Sequence, residues 1–99
     1  MEAVIVDREI ICASEVWMIR TGRDLGLKDL EFSKDLYIME WEQKIYITLK
    51  RMYVDEGIIW RAIKGRYDVG RGGKRLLRRH LAIVGQPNLL DKIWRIINQ

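Results

Sequence analysis

The stretch SKDLYIMEWEQKIYITLKRM, Ser33 to Met52, admits two readings, and the choice between them sets the fold class. At about 100° per residue, Ile38, Trp41, Ile45, Leu49 and Met52 share one stripe with Glu40, Lys44 and Arg51 opposite, the pattern of an amphipathic helix. Ser33 stands where an N-cap belongs, and neither Gly nor Pro interrupts residues 27–56. The spacing therefore predicts a long helix. The rival reading rests on Ile45-Tyr46-Ile47-Thr48-Leu49, whose β-branched and aromatic content suits a strand. Asp55-Glu56-Gly57 would then be a hairpin turn and Ile58 to Ile63 the returning strand.

Towards the N-terminus, Ala3 to Val6 reads as a short buried strand, and Ile10, Ile11, Trp17, Met18 and Thr21 as a helix that ends before Gly22. Towards the C-terminus two segments carry matching apolar arcs. In Lys74 to Val84 the residues Leu76, Leu77, His80, Leu81, Ile83 and Val84 lie on one side, and Lys74, Arg75, Arg78, Arg79 and Ala82 on the other. Gly85 suits the C′ position, Pro87 blocks continuation, and Asn88 can cap a second helix with Asp91 in its first turn. That helix has a stripe of Leu89, Leu90, Ile93, Trp94 and Ile97. The pair reads as a helical hairpin or a helix-turn-helix-like corner. The expected fold class is α+β: one small domain over residues 1–99, helix-dominated, with a short β element and a C-terminal pair of amphipathic helices; all-α is the alternative.

Ninety-nine residues suffice for one domain, and Ile, Leu, Val and Met supply 34 large aliphatics for a core without disulfides or structural metal. Cys12 is the only cysteine, which excludes an intramolecular disulfide and multi-cysteine zinc sites. A reducing, intracellular setting is expected, with no signal peptide and no transmembrane helix. Asp, Glu, Lys and Arg make up 32% of the chain, while Ser, Thr, Asn and Gln are scarce, a balance expected of a heat-adapted protein.

The net charge is +4, and it is unevenly spread. Between Arg61 and Arg79 lie eight bases, Arg61, Lys64, Arg66, Arg71, Lys74, Arg75, Arg78 and Arg79, against the single acid Asp68. Six of the eight are arginine, whose planar fork gives phosphate two parallel charge-assisted hydrogen bonds. No carboxylate stands three or four positions from Arg75 or Arg78 to neutralise it along a helix. The loop Gly70-Arg71-Gly72-Gly73 runs straight into this segment and could cradle a phosphate oxygen with its amides. It lacks the spacing of a nucleotide-hydrolysing P-loop, because Arg75 follows Lys74 where a hydroxyl is needed. The competing reading is a charged face balanced internally by Glu and Asp from residues 1–60. If the corner were a helix-turn-helix, its second helix would be the groove-reading one, but that helix carries only Lys92 and Arg95, so backbone contact through 70–79 is expected instead.

Other constellations carry less. Glu42-Gln43-Lys44 matches the acid-x-Lys element of one nuclease class, with Asp35 or Asp29 as a metal partner, but on a helix Glu42 and Lys44 point apart. His80, the only histidine, falls on an apolar arc and reads as packed imidazole; Cys12, between Ile11 and Ala13, reads as a buried inert thiol. Tyr37, Tyr46, Tyr53 and Tyr67 have no base beside them in sequence to make any a nucleophile. A basic amphipathic helix followed by Trp94 could lie on an anionic bilayer, but its apolar arc is needed for the core.

In length, in its Ile, Arg, Lys and Tyr richness and in segments such as KIYITLKRMY (Lys44 to Tyr53) and KRLLRRHLAI (Lys74 to Ile83), the chain resembles small proteins of archaeal filamentous and rod-shaped double-stranded DNA viruses. The resemblance is one of style and carries over no functional residue. It implies an archaeal host cytoplasm and either DNA binding or inhibition of a host complex. Together these readings predict a non-enzymatic accessory or regulatory protein, without cofactor or metal and homodimeric, whose basic strip at 61–79 meets nucleic-acid phosphate, with double-stranded DNA foremost. The alternative is a protein-binding module, a viral inhibitor or assembly factor that docks on an acidic protein surface.

Overall fold

The computed structural model describes residues 8–49, 65–71, 73–83 and 85–98. Five strands form one mixed sheet: β1 (Glu9–Ala13), β2 (Lys28–Phe32), β3 (Leu36–Trp41), β4 (Lys44–Leu49) and β5 (Arg66–Gly70), in the order β2-β3-β4-β1-β5. β2, β3 and β4 make an antiparallel meander; β1 lies parallel to β4 and antiparallel to β5. The helices are α1 (Glu15–Trp17), continuous through a π turn (Met18–Gly22) with α2 (Arg23–Leu25), then α3 (Gly73–Ile83) and, after a 3-10 turn (Pro87–Leu89), α4 (Leu90–Ile97).

The sheet has a core on each face. On one side Ile10, Leu36, Ile38, Ile45, Ile47 and Leu49 pack under Leu77 and Leu81 of α3 and Ile93 and Ile97 of α4. On the other, Ile11, Ala13, Tyr37, Met39 and Tyr46 pack under Met18 and Leu27, with Trp17 and Trp41 at the margin. Alternate residues of each strand thus serve opposite layers, as the period of two requires. The crossover helix approaches the sheet closely at buried Gly22, where an added Cβ would lie 3.4 Å from Leu27 and 3.5 Å from the Met39 sulfur.

This architecture corrects the helix-dominated expectation and removes the all-α alternative: residues 36–49 of the decisive stretch are a β-hairpin, not a helix. Leu36 to Met39 and Ile45 to Leu49 are all buried, because β3 and β4 are covered on both faces. A strand buried on both faces shows a continuous apolar run rather than alternation, and such a run yields a helical stripe by coincidence. Ser33 caps no helix. Its amide donates to the Leu36 carbonyl at 2.8 Å and its hydroxyl to the same oxygen at 3.3 Å, closing the β2–β3 turn. The β3–β4 turn is Glu42-Gln43, flanked by the pair Trp41 and Lys44, with Glu42 in the left-handed region at φ 55°.

The helix expected over Ile10 to Thr21 is also displaced. Ile10 and Ile11 belong to β1; the helix begins after Ser14, whose hydroxyl accepts from the Trp17 amide at 3.0 Å, and it continues through Gly22 to stop at Gly26, φ 90°. The expected strand at Ala3 to Val6, the turn at 55–57 and the strand at 58–63 lie outside the described residues. The C-terminal pair stands as α3 and α4, with Gly85 left-handed at φ 72° and its amide donating to the Ala82 carbonyl at 3.2 Å. Asn88 does not cap α4: the chain enters from the 3-10 turn through Leu89, already in helical dihedrals, with no side-chain cap. Ile83, expected in the core, is 60% exposed.

Two polar ties hold the layers. Arg8 donates to Glu40 Oε2 at 2.8 Å and to the Ile97 carbonyl at 3.0 Å, joining the sheet to the end of α4. Thr48 donates its hydroxyl to the Ala13 carbonyl beneath the crossover helix.

Candidate functional site

α3 lies across the sheet with Leu77, His80 and Leu81 buried and Arg75, Arg78, Arg79 and Ala82 exposed. The inner arc fixes the outer one: once 77, 80 and 81 face the sheet, the helical period turns 75, 78, 79 and 82 away from it. Among the described residues, no carboxylate oxygen lies within 4.0 Å of the Arg75, Arg78 or Arg79 guanidinium. The three stand as a row of positive charge with no internal neutralisation from those residues.

The other members of the expected strip are dispersed. Arg66, paired in register with Ala13, sits on the opposite sheet face with its guanidinium 5.5 Å from the Trp17 ring centroid; Trp17 in turn stacks on Tyr46 at 5.3 Å. Arg71 makes a loose ion pair with Glu9 at 3.9 Å and Lys74 one with Asp91 at 3.7 Å. Arg61 and Lys64 lie outside the described residues. Of the six described bases, Arg66 lies on the opposite sheet face, Arg71 and Lys74 have loose carboxylate partners, and Arg75, Arg78 and Arg79 have none among the described residues. Of the glycine loop, the described residues settle two points. The Gly70 amide already donates to Asp68 Oδ1 at 2.7 Å, and buried Gly73 starts α3 beneath Trp94, whose ring would be 3.5 Å from an added Cβ.

The inner side of α3 carries a contact that the sequence did not disclose. Cys12 Sγ on β1 lies 2.8 Å from His80 Nε2, both residues buried. Burial holds the His80 imidazole below its ordinary pKa, which favours the neutral ring. The two side chains stitch α3 to the central part of the sheet.

The nuclease-like residues do not assemble. Glu42 and Asp35 flank opposite ends of β3, about 23 Å apart at the usual strand rise of ~3.3 Å per residue. Lys44 lies over the Trp41 ring at 5.2 Å, and Asp29 is held by the Tyr37 hydroxyl at 2.9 Å and by Arg23 at 3.2 Å. Tyr37 thus does have a carboxylate beside it. Burial first, then the bond to Asp29, raises the phenol pKa, so the group stays protonated and works as a staple between β2 and β3. Among the described residues no cluster of three His, Cys, Asp or Glu side chains could hold a metal, and no helix is long and apolar enough to cross a membrane. No protein-family model, curated protein or solved structure matches the chain.

Proposed function

We propose that the outer face of α3 contacts nucleic-acid phosphate through Arg75, Arg78 and Arg79, and that the protein is a binding or regulatory factor rather than a catalyst. The observation that carries this reading is the arginine row on an otherwise well-packed helix, with no carboxylate partner among the described residues. Like charges on adjacent helical positions repel one another, and a polyanion relieves that repulsion while receiving bidentate hydrogen bonds. The expected test is a titration against labelled duplex DNA over a range of salt. Three phosphate contacts give a slope of log affinity against log salt of about −2.7 by counterion release. Near −7, the bases dispersed around the fold would have to bind as well; near zero, phosphate contact is wrong.

A second reading, docking on another protein, draws support from Val16, Leu25 and Phe32, each more than half exposed on the crossover helix and β2. Binding to a partner that survives high salt and is unaffected by loss of the arginine row would favour it.

A further inference from the structure

Resting on the phosphate-contact reading of α3 but moving Arg75 from phosphate to the bases, we infer that this helix enters the major groove of B-form duplex DNA, with Arg75 and Ala82 facing the groove floor and Arg78 and Arg79 reaching the two flanking backbones. The salt slope accordingly falls from about −2.7 to about −1.8. The inference comes from the arrangement of residues around the helix rather than from charge. At about 100° per residue, Arg78 lies about 60° to one side of Arg75, Arg79 about 40° to the other, and Ala82 about 20° from Arg75. Across the exposed arc the order is therefore Arg78, Ala82, Arg75, Arg79, with Ile83, also exposed, beyond Arg79.

A helix that only rests against one strand of phosphates needs its cations along one line. Here Arg78 and Arg79 diverge by about 100° from neighbouring positions, which suits a helix with phosphates on both sides. The centre of the arc is narrow in its C-terminal half, because Ala82 carries only a methyl group. With side chains, a helix is about 10–12 Å across and the B-form major groove about 12 Å wide, so a small central residue permits close approach. In the N-terminal half of the arc Arg75 can donate both ends of its fork to guanine O6 and N7. The eleven residues of α3 supply the length, about 16 Å, and no acid lies along it. A-form RNA excludes this geometry, since its major groove is deep and too narrow for a helix.

The test uses fluorescence anisotropy at one fixed low salt, with a duplex DNA, the RNA duplex of the same sequence and the single DNA strand as probes. The duplex DNA is expected to bind at least about tenfold more tightly than either of the others. Ala82→Tyr, at an exposed site and without change of charge, is expected to weaken duplex binding about tenfold while its melting temperature stays close to wild type. Replacing guanine by 7-deazaguanine, which leaves the protein untouched, should weaken the wild type but not Arg75→Ala. A smaller preference for duplex DNA, or an Ala82→Tyr variant that binds as the wild type does, overturns groove entry. If charge reversal at Arg75 and Arg79 still abolishes binding in that case, the phosphate reading survives on its own. Absence of binding to all three probes defeats both.

Discussion

Arg66, Arg71 and Lys74 in one half of the basic run, and Arg75, Arg78 and Arg79 in the other, are separated by a few residues of chain and by very different surroundings. The first half is engaged by the fold: a tryptophan ring for Arg66, Glu9 for Arg71, Asp91 for Lys74. The second half stands on the outer arc of α3 without a carboxylate among the described residues. The contrast shows that linear charge density does not specify a binding surface. On the proposed reading the location is set by which cations have no carboxylate partner among the described residues, and that depends on the packing of the inner arc of the same helix.

The largest expected effect breaks that packing. Leu77 is fully buried between α3 and the sheet, so Leu77→Ala should cost about 2–5 kcal/mol by lost transfer energy and the cavity left behind. Thermal or denaturant unfolding measures it. Duplex affinity measured well below the new melting point should stay near wild type, because the arginine row is unchanged; a parallel collapse would mean the row depends on more than helix docking.

Acidification probes the same inner side more gently. His80 has a folded-state pKa below its ordinary value near 6.5 because it is buried, so at lower pH the unfolded chain takes up the proton first. Stability should be level above about pH 6.5 and fall as the pH drops below it, with a slope of at most about 1.4 kcal/mol per pH unit from this one group. Melting curves between pH 8 and pH 5 test the sign, and His80→Met should flatten the profile in that window.

The smallest effect concerns the engaged half. Arg71→Ala and Lys74→Ala remove loose, exposed ion pairs, so each should change stability by about 0–1 kcal/mol. Neither should alter duplex affinity more than about threefold, since neither residue belongs to the outer row. A larger loss on binding would move the interface toward the N-terminal end of α3 and narrow the distinction between the halves.

How much of this was legible in the sequence follows from coverage. α3 and α4 are covered on one side only, so their apolar residues recur with the helical period, and the outer arc of Arg75, Arg78, Arg79 and Ala82 could be read from spacing alone. β3 and β4 are covered on both sides, so no polar alternation marks them, and the evenly placed Ile38, Trp41, Ile45 and Leu49 imitate a helix. Their turn gives no warning either, since Glu42-Gln43 lacks the Asn or Gly that usually accompanies a left-handed residue in a hairpin. The engagement of Arg66 by Trp17, Arg71 by Glu9, Lys74 by Asp91 and His80 by Cys12 joins residues remote in sequence. Such pairings follow from the sheet order β2-β3-β4-β1-β5 and from the packing of the helices, which local propensity does not encode.

The measurement that tests the central claim most directly is a side-by-side titration of duplex DNA with two double charge reversals, Arg75→Glu with Arg79→Glu, and Arg66→Glu with Arg71→Glu. Both variants change the net charge equally, so nonspecific attraction falls by the same amount in each. Reversal on the outer face of α3 should weaken binding about 100-fold, or about 2.7 kcal/mol, with the fold intact; reversal at the engaged positions should weaken it several-fold at most. Equal losses in the two variants, or no loss in the first, would contradict a binding surface on the outer face of α3.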